Sequence, residues 1–175
     1  MSHKLLFLNI ITIFVYMIVE INITNEQIKR AEELYEFNVL KGSVTEGEGN
    51  KVGALGEIIV LDFYGKYSEY VGDYNYDLII KGKKVDVKTK KQNVPPLLEH
   101  KANIFAYNTK QQCDYYCFVA IHSSMTKGWI LGWKKKEDFF KEATFRKKGE
   151  VDKTGTNVGW TFKHDCYVLT NKDLD

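Results

Sequence analysis

A chain of 175 residues that is 44% hydrophobic can close a core without staples, so a single domain is expected. Its net charge of +2 excludes the strongly basic balance of a protein that packages nucleic acid, and any attraction to phosphate must be local. Three cysteines, Cys113, Cys117 and Cys166, form an odd set without CxxC spacing, which argues against a disulfide framework and predicts buried thiols in a reducing compartment.

After Met1-Ser2-His3-Lys4, residues 5–19 form an uncharged, mostly apolar run that imitates a signal sequence. The run is short for a membrane span of about twenty residues, Glu20 ends it, and no small-x-small cleavage site follows. Met17 is therefore the expected start, with residues 1–19 set apart as a hydrophobic extension and the domain proper over residues 20–175. A translated extension would pack on the core as a strand or helix. A real anchor would instead make the chain a membrane-tethered protein of unrelated function.

Thr24-Asn25-Glu26-Gln27 has the form of a capping box and predicts a helix to about Leu40, with Ile28, Ala31, Leu34, Tyr35 and Val39 on its apolar side. Gly42, Gly47 and Gly49 mark a surface loop after it. Residues 50–64 then place Val52, Leu55, Ile59 and Phe63 at helical spacing, with Asn50 as N-cap. From Val52 to Leu61 the only charged side chain is Glu57, so this helix is expected between two layers. An unpaired carboxylate there would cost several kcal/mol, which calls for a metal, a metal-bound water or a lysine beside Glu57. Gly53 and Gly56 are expected to let the helix approach a strand closely.

Residues 76–90 read as a β-hairpin. With Gly82-Lys83 at the centre of a type II′ turn, Ile80 pairs with Val85, Ile79 with Asp86 and Asp77 with Lys88. Side chains alternate with period two, so Asp77, Asp86, Lys88 and Lys90 share one face while Leu78, Ile80, Val85 and Val87 face a core. Asp77 and Asp86 become diagonal neighbours, close enough for one hard cation to be held by both.

Beyond the hairpin, Asn93-Val94-Pro95-Pro96 breaks regular structure. Strands are expected over residues 115–121, 129–133 and 166–169, and a short helix over 137–143. Trp129, Trp133 and Trp160 are expected in the core rather than stacked on bases. Gln111 and Gln112 stand before a strand, where exposed polar residues are ordinary, and receive no role. Of the four histidines only His100 follows the hairpin closely enough to face a substrate. Lys134-Lys135-Lys136 and Arg146-Lys147-Lys148 read as helix-end or solvated runs, and His164 with the three cysteines matches no common zinc spacing.

Over residues 50–91 the chain resembles the PD-(D/E)xK nuclease superfamily, in particular its small standalone members of phages and mobile elements. That superfamily carries a glutamate on the first core helix, an aspartate on the second strand and an acid-x-lysine on the third, which Glu57, Asp77 and Asp86-Val87-Lys88 match in order and in element. Tyr76 stands where the name-giving proline would be, and Asp86 is the shorter acid. The resemblance implies an α/β restriction-endonuclease-like core, a mixed β-sheet flanked by helices, and a catalytic set of Glu57, Asp77, Asp86 and Lys88. It implies Mg²⁺, for which Mn²⁺ may substitute, held by Asp77, Asp86 and the Val87 carbonyl, with Glu57 on the metal or its water and Lys88 orienting the attacking water. Lys84, Lys90 and Lys91 are the expected contacts to a phosphate backbone. The expectation is thus a metal-dependent endonuclease acting on DNA, a possible homodimer, cytoplasmic and without stable membrane association, in the host cytoplasm if phage-encoded. The alternative is a nucleic-acid-binding module of the same fold that no longer cuts.

Overall fold

The computed structural model of the chain describes residues 18–39, 48–154 and 158–175. The expectations placed on residues 1–17, on the loop holding Gly42 and Gly47, and on the Val39 and Asn50 side chains lie outside the described residues. The fold is mixed α/β. A six-stranded sheet runs in the order β1 (Val19–Asn22), β7 (Lys127–Lys135), β6 (Tyr115–His122), β4 (Lys83–Gln92), β3 (Leu78–Ile80) and β2 (Ser68–Tyr70). A second sheet orders β5 (Lys101–Phe105), β9 (Cys166–Thr170) and β8 (Thr144–Arg146). The described α-helices are α1 (Asn25–Val39), α2 (Glu48–Tyr64) and α3 (Lys136–Glu142).

Strand β6 fixes the layering. Its six residues from Tyr116 to Ile121 are all buried, because it lies parallel to β4 and antiparallel to β7 with both faces covered. Cys117, Val119 and Ile121 join Leu55, Ile59 and Val60 of α2 and Ala31 of α1 in one apolar cluster. Tyr116, Phe118 and Ala120 alternate to the other face and pack with Ala102, Ile104, Leu169 and Phe139 from β5, β9 and α3. The large sheet is therefore sandwiched between a helical layer and a layer made of the small sheet with α3. Strands β5 and β8 carry no strand signal in the sequence reading, and β1 begins at Val19, so the boundary expected at residue 20 falls inside a strand.

The capping box holds: Thr24 N–H donates to Gln27 Oε1 at 3.0 Å and Gln27 N–H to Thr24 Oγ1 at 3.2 Å. Helix α2 starts at Glu48, two residues before Asn50, so Asn50 is not its N-cap. Val52, Leu55 and Ile59 are buried as expected, whereas Phe63 at the end of the helix is 42% exposed. Only one of the two glycines provides close approach. A Cβ on Gly56 would fall 1.9 Å from Thr89 Oγ1 of β4, while nothing lies within 4 Å of one on Gly53. Gly56→Ala is accordingly expected to force the helix off the strand and lower the Tm by several degrees. Gly53→Ala should leave it unchanged or raise it, through a gain in helix propensity of up to about 1 kcal/mol. Thermal unfolding of the two variants measures the contrast, and equal effects would refute the packing argument.

The hairpin forms with a different turn. Lys81 (φ 49°) and Gly82 (φ 77°) both adopt positive φ, a type I′ turn, and the register is Ile80 to Lys83, Ile79 to Lys84 and Leu78 to Val85. The turn is one residue earlier than expected, so pairing shifts by two and side-chain parity survives. Lys81 accepts the left-handed conformation because its N–H donates to the Tyr67 carbonyl at 2.9 Å, which ties the turn to the segment leading into β2.

All three cysteines are free and buried. Cys117 belongs to the helix-side cluster, Cys113 to the opposite one and Cys166 to a third beside Phe162, so the thiols do not converge on a metal. Trp129 is core and donates to Glu20 Oε2 at 3.0 Å, and Trp133 packs edge-on against Tyr64, but Trp160 is 46% exposed. Lys134 is not solvated. It is buried and meets Glu142 at 2.9 Å and Asp175 at 3.6 Å. Among the described residues no helix is long and apolar enough to cross a membrane.

Candidate active site

Strand β3 pairs with β4 only as far as Val85, which leaves the following residues of β4 without a strand on that edge. Asp77, just ahead of β3, fills the gap. Its N–H donates to the Val85 carbonyl at 3.0 Å and its Oδ2 accepts the Val87 N–H at 2.7 Å. Asp77 therefore sits against the Val85-Asp86-Val87 segment, not opposite Lys88 as the expected register had it. An extended strand turns the N–H and C=O of one residue to the same edge, so the Val87 carbonyl also opens toward Asp77.

Asp86 and Lys88 lie on the face opposite Val85 and Val87, over Tyr116. Asp86 is 2% exposed. Its Oδ2 stands 2.5 Å from Lys88 Nζ, and its Oδ1 accepts Gln111 Nε2 at 2.8 Å. Gln111, 6% exposed, completes a closed arrangement by accepting Lys88 Nζ on its Oε1 at 3.0 Å. The same Nε2 also reaches the Tyr74 carbonyl at 3.0 Å, and Lys136 Nζ holds the Gln111 carbonyl. Sequence reasoning gave Gln111 no role, and the structure shows it as the one side chain among the described residues that bonds both the acid and the lysine of Asp86-Val87-Lys88. Its signal was weak: an amide at the end of a polar stretch, with partners 25 and 37 residues away.

Glu57 comes to the same place from α2. Close contact of Gly56 with Thr89 brings the helix onto β4, and Tyr70 stands beside the Glu57 carboxyl. Tyr70 itself lies over Gly72 (φ 61°), where a Cβ would fall 2.6 Å from its hydroxyl. Burial pushes the Glu57 carboxyl up to about 7, with Asp86 adding repulsion and Tyr70 and Lys88 opposing. Burial raises Asp77 well above the usual carboxylate range, with Glu57 and Asp86 contributing. Asp86 is raised too, by burial, against the pull of Lys88 and Gln111. Three carboxyls and one ammonium thus share a desolvated space, and a second positive charge would relieve it.

Asp77, Asp86 and the Val87 carbonyl supply oxygen donors of the kind a hard divalent cation takes, and Mg²⁺ completes a partial set with waters. As placed, no three His, Cys, Asp or Glu side chains among the described residues surround one point. Oδ2 of Asp86 is buried against the Lys88 ammonium, the one positive charge to which a cation would add a second. The residues fit a two-carboxylate, one-carbonyl site with Glu57 behind it.

The expected phosphate contacts divide. Lys84 is exposed with its Nζ 5.2 Å from the Tyr76 ring centre, and Lys91 is exposed. Lys90 is partly buried, donates to the Lys101 carbonyl at 2.9 Å, and is lowered to about 8 by burial. His100 is lowered by partial burial and by Lys90, and its Nδ1 accepts the Leu97 N–H at 3.2 Å. Against family models and against curated proteins, the chain finds no match.

Proposed function

We propose that the chain is a metal-dependent endonuclease that hydrolyses DNA phosphodiester bonds, built on a restriction-endonuclease-like core of the PD-(D/E)xK type. The observation that carries this reading is the meeting of buried Asp86 with Lys88, beside which Asp77 takes the Val87 N–H and Glu57 adds a third like charge within electrostatic reach. A folded protein keeps such a cluster at a cost in stability, and clusters of perturbed carboxyls are characteristic of functional sites.

In this reading Asp77, Asp86 and the Val87 carbonyl hold Mg²⁺ or Mn²⁺. When bound, the ion supplies charge stabilisation at the phosphoryl oxygens and a lower pKa for a coordinated water. Lys88 places its ammonium beside the scissile phosphate and orients the attacking water. Asp86 and Gln111 hold that ammonium from two sides, so it is positioned before substrate arrives. Glu57, raised toward neutrality, accepts a hydrogen bond from the water and favours the direction of attack. The exposed Lys84 and Lys91 contact flanking phosphates.

The test is cleavage of linear, nicked and branched DNA in Mg²⁺, Mn²⁺ or EDTA. Cutting is expected with either metal and none with EDTA. Lys88→Ala should reduce the rate by about 10²–10³-fold, the usual effect of deleting one preorganised charge, while folding is retained. Metal-independent cutting, or full activity in folded Lys88→Ala, would sink the reading. Absence of cutting together with salt-sensitive DNA binding would replace it with the non-cutting module.

A further inference from the structure

Two tyrosine rings stand in solvent on segments that both lead to the same buried amide. Tyr74 is 66% exposed and Tyr107 54%. Single exposed aromatics are ordinary. What sets these apart is how firmly their backbones are held. The loop carrying Tyr74 is pinned by Val71 N–H and Gly72 N–H, which donate to the Asp77 carbonyl at 2.8 and 3.0 Å, and by Asn75 N–H, which donates to the Asp73 carboxylate at 2.9 Å. The Tyr74 carbonyl receives Gln111 Nε2, the same nitrogen that donates to Asp86.

Tyr107 sits on the short helical turn Ala106–Lys110 that runs directly into Gln111, with Thr109 Oγ1 closing onto the Ala106 carbonyl at 2.9 Å. One face of its ring stacks on Phe105, at 5.5 Å between centres and 26° between planes. The Tyr107 phenol also lies within electrostatic reach of both Lys88 and Tyr74. Each ring therefore stands on a backbone fixed to Gln111, the partner of the reacting lysine, with much of its surface unpacked. A purely structural aromatic buries its ring and leaves its backbone to follow, whereas here the order is reversed.

We propose that Tyr74 and Tyr107 form a stacking portal for unpaired bases adjoining the phosphate bound at Asp86 and Lys88, so that the preferred substrate is single-stranded DNA. This rests on the nuclease reading of the same site. Bases inside a duplex have both faces occupied by their neighbours and offer nothing to the two rings. An unpaired strand offers one face per nucleotide, and stacking is indifferent to base identity. Cations suit the same partner, since exposed Lys84 stands 5.2 Å from the ring centre of Tyr76, two residues after Tyr74, and exposed Lys110 ends the turn that carries Tyr107.

The test uses the full chain, a single strand carrying 2-aminopurine, and the matching blunt duplex. Binding is read as quenching of the 2-aminopurine in EDTA, and cleavage is read as KM and kcat in Mg²⁺. The parent is expected to quench and cut the single strand in preference to the duplex. Tyr74→Ala and Tyr107→Ala should each raise KM for the single strand by about ten-fold with a smaller change in kcat, and Tyr107→Phe should restore stacking. Tyr67→Ala, on an exposed ring that lies against Lys66 and Lys81, controls for loss of any surface aromatic. Equal cutting of both substrates by the parent, with quenching unchanged by either alanine, overturns the portal and leaves the nuclease reading standing. Quenching that needs both rings in a chain that cuts nothing supports the portal and removes the nuclease reading.

Discussion

Asp77→Asn is expected to lower metal-dependent cleavage by about 10³-fold or more and, at the same time, to raise the Tm of the metal-free chain by several degrees at pH 8. The two effects have one cause. Asp77 makes one hydrogen bond that asparagine can keep, since an amide oxygen accepts the Val87 N–H as the carboxylate does. Apart from the pull of Lys88, the surroundings penalise the charge at this position without a cation: burial, Glu57 and Asp86 all raise the carboxyl's affinity for a proton. The asparagine removes that penalty and turns an amide N–H toward its acidic neighbours. A donor oxygen for the metal is weakened in the same step, and loss of activity with gain of stability is the signature of a site held together against its own electrostatics. Calorimetry in EDTA and a cleavage assay in Mg²⁺ measure the two halves. A folded variant that is less stable than the parent would mean that Asp77 is a structural ladder residue, and retained cleavage would remove it from the metal site.

What could be read along the chain was set by local rules. The Thr24 capping box, the apolar helix around Glu57 and the alternation through residues 85–90 each depend on residues within one or two turns or one strand. The hairpin's parity was legible for the same reason. Its register was not, because the observed turn puts Lys81 in a left-handed conformation that its own preference disfavours and that the Tyr67 carbonyl holds in place from another element. Strand β5 shows the alternation of a half-buried strand, with Ala102 and Ile104 inward, yet a five-residue run after a proline-broken loop has little weight until β9 is there to pair with it. Gln111 was the largest gap. Nothing in an amide near a strand reveals that it will close on Asp86, Lys88 and Tyr74, since all three bonds are made only when β4 and β6 lie side by side. Four positions of the candidate site could be named from the sequence because each carries charge, and charge in an apolar context is conspicuous. The neutral residue that orders them is not.

The metal-free chain is expected to lose stability as pH rises from 5 to 8, and Mg²⁺ is expected to restore it. Between its ordinary value of 4.5 and its folded value of about 7, the Glu57 carboxyl holds a proton in the folded chain that the unfolded chain has already released. Stability from this group is therefore complete below about 4.5 and is lost as pH climbs through 7, a change on the order of 2–3 kcal/mol. Asp77 and Asp86, also raised, act in the same direction. The carboxyls that the fold lowers, Glu20, Glu150 and Asp173, lose their favourable contribution only in more acidic solution, below this window. Lys90, lowered to about 8, changes its contribution above the window, where rising pH restores stability. His100, lowered by partial burial and by Lys90, opposes the carboxyls near its ordinary 6.5, as one shallow group against three buried ones. For a domain of this size the net change corresponds to a fall in Tm of about 5–10 °C across the range in EDTA. Adding Mg²⁺ at pH 8 should recover most of that fall, because the ion binds the ionised carboxylates of the folded chain and not the dispersed ones of the unfolded chain. A Tm that is flat or rising between pH 5 and 8 would show that the three carboxyls are not crowded as described. Recovery by Mg²⁺ in the parent but not in Asp77→Asn would place the ion at the site that Asp77 helps to build.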